Sequence, residues 1–171
     1  MNRDKKEFLV NRNPQKLFFT KSDVDERIRD LKCQTQANLF KLAARKGYDI
    51  EFFTNNYLKS EFCQYEMDGA YSSMQFRLAE ELMEIVENEI HPANGETGNE
   101  CLAAFLGYMY RWLNLNMEIN SYELAERVPY NEMIGYACMA NEEPSLIAED
   151  IAKDYLSDVP WREFYDNING D

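Results

Sequence analysis

The run "LGYMYRWLNL", Leu106 to Leu115, is almost wholly apolar or aromatic, yet Arg111 sits in its middle. A guanidinium is too basic to be neutralised by burial, so it must reach water or find a partner. No acid lies three or four residues away on either side, so the partner has to come from another segment. Asp68, at the end of "CQYEMD" beside Gly69, is the best candidate, and Glu66 is the next. Two readings follow. Either Arg111 and Asp68 form a buried ion pair that fixes how two helices meet, or Arg111, Tyr108 and Tyr71 line a pocket for an anion or a partner's carboxylate.

Other chemistry finds little to build on. His91 is the sole histidine, and it precedes Pro92 in "HPANGETGN", a loop by composition. Helical di-metal sites need inward-facing Glu-x-x-His pairs, which this chain lacks, so no metal or cofactor is expected. Glu80, Glu84 and Glu87 share one helix face by spacing and read as a solvated face. There is no G-x-S-x-G, G-x-G-x-x-G or P-loop pattern, and no His is tied to a Ser or Cys nucleophile. The expectation is a protein that is not an enzyme.

Those residues must be positioned by helices, because the hydrophobic period is 3.6 almost throughout and no period-2 run is present. Ser22 can cap a helix through Ile28, Leu31, Leu39, Leu42 and Ala43, stopping at Gly47. Asp49 can cap a short helix with Phe52, Phe53, Tyr57 and Leu58 on one face. A turn or two from Ser60 to Gly69 follows, then a helix from about Gln75 to Ile90 with Leu78, Leu82, Ile85 and Val86 inward. The helix from about Asn99 to Met117 is apolar on nearly all sides and should be central and buried. Ser121 is expected to cap the next helix, Pro129 to start "PYNEMIGYACMA", and "EEPSLIAEDIAKDYLSD" to form one more. The sum is an all-α, single-domain bundle of about six to eight short helices around residues 99–117. A basic arm, residues 1–20, precedes this helical domain, residues 21–171. The aromatic tail, residues 159–171, holds Trp161, Phe164 and Tyr165.

At 171 residues the chain suits one domain with a real core. Cys33, Cys63, Cys101 and Cys138 lie far apart with no C-x-x-C pair, which argues against a zinc site or a disulfide scaffold. No apolar run reaches membrane-span length, and the first residues lack the apolar stretch of a signal peptide, so a cytoplasmic protein with reduced thiols is expected. The net charge of -13 is unevenly placed: residues 1–21 carry six bases against two acids, and residues 118–171 carry thirteen acids against three bases. An acidic body repels phosphate backbones and anionic lipid and attracts basic protein surfaces. "YNEMIGYACMA" has no base, so a helix-turn-helix reading of Ser121–Met139 fails and direct nucleic-acid binding is not expected.

Three blocks of this chain resemble an uncharacterised family of small all-helical bacterial proteins. The matching residues are Phe53, Ser60, Phe62, Cys63, Met67, Asp68, Tyr71 and Ser72, then Leu106, Gly107, Tyr108, Tyr110 and Arg111, then an acidic helical block reaching about residue 155. Where that family tends to carry His-Thr-x-Asp before its last helix, this chain reads Met139-Ala140-Asn141-Glu142. Such proteins are often encoded beside toxin-like, ADP-ribosyltransferase-like proteins, so the resemblance implies an antitoxin or accessory protein. The leading expectation is a non-enzymatic module whose protein partner has a basic surface, met by Glu142, Glu143, Glu149, Asp150, Trp161 and Phe164. The alternatives are an acidic mimic that inhibits a nucleic-acid enzyme, and a small-ligand binder or enzyme using a pocket at Arg111.

Overall fold

Local capping chemistry sets where most of the helices start and stop. The computed structural model describes residues 26–69, 71–91 and 98–162. The basic arm, the Ser22 cap, Phe164 and Tyr165 lie outside these residues. Helix α1 (Glu26–Arg45) ends in a turn where Gly47 takes φ 86°, a left-handed conformation that side chains disfavour. There the Tyr48 and Gly47 N–H groups donate to the carbonyls of Ala43 and Ala44. Helix α2 (Ile50–Leu58) starts at Asp49, whose carboxylate accepts from the Phe52 N–H at 2.8 Å. A π-helical segment (Cys63–Met67) and a 3-10 turn (Ser73–Phe76) lead to α3 (Ala79–Val86).

Helix α4 (Glu100–Asn116) is capped by the Asn99 side chain, which accepts from the Cys101 and Leu102 N–H groups. Helix α5 (Ser121–Arg127), helix α6 (Tyr130–Met133), a 3-10 stretch (Ile134–Met139) and α7 (Pro144–Tyr155), with its proline at the first turn, complete the order. No strand occurs among the described residues; Met117 and Trp161 form an isolated antiparallel bridge. The molecule is therefore all-α, with α4 as its buried centre: Ala103, Leu106, Tyr110, Leu113 and Leu115 on this one helix are all buried. One aliphatic and aromatic core surrounds it, including edge-on contacts of Phe40 with Phe53 and Tyr57 at 5.2 Å.

The α1–α4 contact is the most extensive between elements, and Gly107 is the reason it is so close. A Cβ on Gly107 would lie 2.6 Å from the Gln36 carbonyl oxygen and 2.9 Å from the Ala37 Cα. Both are backbone atoms, so the helices themselves would have to part.

Four expectations are corrected. The helix placed at about Gln75–Ile90 is broken, because Arg77 and Leu78 are extended. The buried Gln75 amide donates to the carbonyls of Glu66 and Met67, which pins a 3-10 turn there and leaves Leu78 68% exposed and Ile85 exposed. Leu31 also faces outward from α1. Asn120, not Ser121, caps α5, accepting from the Glu123 N–H at 2.8 Å. The helix after Pro129 is α-helical only to Met133 and continues as 3-10.

The Gly107 contact generates a test by urea unfolding. Gly107→Ala should lose about 1–3 kcal/mol through overpacking. Gly135→Ala is the control, since nothing lies within 4 Å of a Cβ there and its φ is not positive. It should be neutral or gain stability by up to about 1 kcal/mol.

Candidate functional site

Arg111 is 1% exposed, and its charge is answered entirely from within the fold. Nη1 donates to Asp68 Oδ1 at 2.7 Å, to Asn114 Oδ1 at 2.7 Å and to the Met67 carbonyl at 3.1 Å. Nε and Nη2 both donate to Gln36 Oε1, at 3.0 and 2.7 Å, and Nη2 also meets the Cys63 sulfur at 3.3 Å. Burial alone would lower the basicity of this guanidinium. That is the largest single influence, and the Asp68 carboxylate together with the other groups around the guanidinium more than offsets it and holds it above its ordinary value.

Each acceptor is itself held. Gln36 donates its amide to the Gly107 carbonyl at 2.8 Å and accepts the Tyr57 hydroxyl at 3.2 Å. Asn114 donates to the Ile119 carbonyl at 2.8 Å. Asp68 accepts the Ser121 N–H at 2.8 Å and the Ser121 hydroxyl at 2.5 Å. Ser121, expected as a cap, instead joins α5 to this cluster. The network thus ties α1, α2, the π-helical segment, α4 and α5 together at one buried point. Glu66 is engaged elsewhere, accepting the Ser72 hydroxyl at 2.6 Å.

The side chains expected to share a pocket are kept apart. Arg111 lines none of the described clefts. Tyr71, proposed with it, is 68% exposed and leans on Phe76 at a 6.2 Å ring separation. Tyr108 is half-buried and points its hydroxyl at Asp30 Oδ1, 2.7 Å away; burial and that hydrogen bond raise the phenol well above its usual range. The pocket reading of Arg111, Tyr71 and Tyr108 is therefore overturned: Arg111 is inside, Tyr71 is outside, and Tyr108 serves a different cleft. The Cys63 thiol is pushed up to about 12, mainly by burial, with Asp68 adding to the shift and Arg111 opposing it. Such a thiol is a poor nucleophile. His91 is exposed, and no group of three metal-ligating side chains occurs among the described residues.

The outer surface is different. Glu142, Glu143, Glu149 and Asp150 are all exposed, and none of their carboxylates has a hydrogen-bond or ion-pair partner among the described residues. Glu143 stands at the N-cap of α7 without making a capping bond. Other carboxylates nearby are engaged: Lys59 pairs with Glu126, and Arg127 pairs with Glu123 and Asp158. Trp161 packs edge-on against Trp112 at 6.2 Å and remains 42% exposed. Phe164 lies outside the described residues.

Two clefts adjoin on the α1–α4–α7 side. One, of about 310 Å³, is polar and is lined by Glu26, Arg29, Asp30, Trp112 and Glu143 among others. The other, of about 320 Å³, is mostly apolar, with Ala37, Ala104, Phe105, Ala140 and Ile147 in its wall and Glu142 at its edge. Tyr108 and Pro144 line both.

Fold and site together define an all-α protein with a sealed ionic core and a carboxylate-bearing outer face. Comparison with protein-family models, curated proteins and solved structures finds no match to this chain.

The residues missed in the sequence are Gln36, Asn114 and Ser121. Asn114 was the readable one, lying three residues beyond Arg111 on the same helix face, where a neutral acceptor serves as well as an acid. Gln36 carries no such mark, because its role depends on where α1 crosses α4.

Two measurements test this site. Arg111→Ala should cost about 3–5 kcal/mol in chemical denaturation, because it leaves Asp68 charged and buried. Arg111→Met combined with Asp68→Leu should recover part of that loss, the unrecovered part reflecting Gln36 and Asn114 left without their donor. In the native state a thiol reagent should modify the exposed Cys101 and Cys138 only. Cys33 and Cys63, both buried with their thiols pushed up, should react at the rate of unfolding.

Proposed function

We propose that this chain is a non-enzymatic protein-binding module, an antitoxin-like or regulatory partner of a bacterial toxin or effector that presents a basic surface. The observation that carries the reading is the set of four exposed, unpartnered carboxylates, Glu142, Glu143, Glu149 and Asp150. The fold does not use these charges, and two of them stand on α7 and two just before it. Unpaired surface charge of one sign steers a complementary partner and raises its association rate. The enclosed Arg111 and the buried Cys63 thiol favour binding over catalysis, since the strongest internal charge is already spent on structure. No described helix is long and apolar enough to cross a membrane.

The resemblance to proteins encoded beside toxin-like genes directs the experiment. The chain is co-expressed with the product of the adjacent gene and the complex is followed by biolayer interferometry and by rescue of growth. Wild type should bind with an association rate that falls steeply with salt. Glu142→Lys combined with Glu143→Lys, Glu149→Lys and Asp150→Lys should slow association by about tenfold or more while leaving the melting temperature nearly unchanged. A neighbouring product that neither binds nor is neutralised defeats the reading. Displacement of the chain by duplex DNA would transfer it to nucleic-acid mimicry.

A further inference from the structure

The acidic face explains attraction but not selectivity, since scattered carboxylates accept any basic surface. The paired clefts beside Tyr108 supply what is missing. The apolar cleft is walled by Ala37, Ala104, Phe105 and Ile147, and its neighbour carries Glu26, Asp30 and Glu143. Among the described residues of both linings, Glu26, Asp30, Glu142 and Glu143 stand against a single base, Arg29. Arg29 Nη1 is turned to Asn116 Oδ1, at the side of the polar cleft. Tyr108 forms the wall between the halves and is fixed there by its bond to Asp30. Trp112 adds an aromatic face to the acidic half, the surface on which a guanidinium or ammonium group is further stabilised.

We propose that this two-part groove between α1, α4 and the start of α7 docks an amphipathic basic segment of the protein partner, an aliphatic side chain entering the apolar half and a Lys or Arg the acidic half. The inference rests on the proposed function, and it narrows the partner. Because the two halves share Tyr108 and Pro144, the apolar and basic side chains must be close neighbours on the partner, as at i and i+3 or i+4 of a helix. Charge complementarity selects the occupant. A neutral apolar segment would leave Glu142 and Glu143 unanswered, and an acidic one would be repelled.

The probe is a fluorescein-labelled helical peptide of Lys and Leu, compared by anisotropy with a Lys and Ser peptide of equal charge and length. The Lys-Leu peptide should bind at least about tenfold more tightly. Ala140→Trp or Ala104→Trp, which fill the apolar half, should abolish that preference; circular dichroism identifies whichever variant remains folded, and Ala140, being exposed, carries the lower risk. Glu149→Lys with Asp150→Lys, outside both linings, should weaken both peptides alike and leave the preference intact. Equal binding of the two peptides overturns the groove and leaves the acidic surface standing. A preference untouched by Ala140→Trp also overturns it. Binding of neither peptide at low salt removes the acidic-surface reading as well.

Discussion

The structure depends on a charge that cannot be given up. Arg111 stays protonated at any physiological pH, and leaving it unpaired inside the core would cost a large share of the stability that a domain has. The fold meets that demand with a network of five elements, in which α1, the π-helical segment and α4 reach the guanidinium directly and α2 and α5 hold its acceptors. Asp68 supplies the opposite charge, and Gln36, Asn114, Cys63 and the Met67 carbonyl supply the remaining acceptors. A buried ion pair is seldom the most stabilising occupant of its volume. Its effect here is directional: one arrangement of α1, the π-helical segment and α4 satisfies every donor of Arg111, and sliding α4 by a turn would leave the guanidinium only Asn114, which travels with the same helix.

Gly107 and Gln36 make that convergence possible. The absent side chain at Gly107 lets α1 approach α4 until the Gln36 amide reaches the Gly107 carbonyl. At that spacing the Gln36 side-chain Oε1 faces two guanidinium nitrogens and the Tyr57 hydroxyl at once. Close packing and polar satisfaction are here the same constraint, since a wider gap would break the hydrogen bonds and a missing hydrogen bond would leave nothing to define the gap.

The same economy separates the interior from the surface. Inside, polar groups of the network have partners, and Arg111 lines none of the described clefts. Outside, the carboxylates of Glu142, Glu143, Glu149 and Asp150 meet no partner among the described residues, and a two-part groove lies beside Glu142 and Glu143. Charges that a fold does not use can be used by a partner, which is why recognition rather than catalysis is the reading the geometry favours.

The helical class, the central helix and its Asn99 start were legible in the sequence, because periodicity and capping are local properties that one stretch of chain carries by itself. The demand of Arg111 for a distant partner was legible too, since a cation in an apolar run with no acid at helical spacing leaves no local solution. The break at Arg77–Leu78 and the recruitment of Ser121 were not, because Gln75 and Ser121 answer to carbonyls and a carboxylate supplied by other segments. Tyr71 and Tyr108 looked alike in sequence, and only the packing of α4 against α1 sent one out to solvent and set the other between two clefts. Sequence determined which residues had to be satisfied; tertiary structure decided by whom, since satisfaction is a matter of distance and distance between segments exists only in the assembled fold.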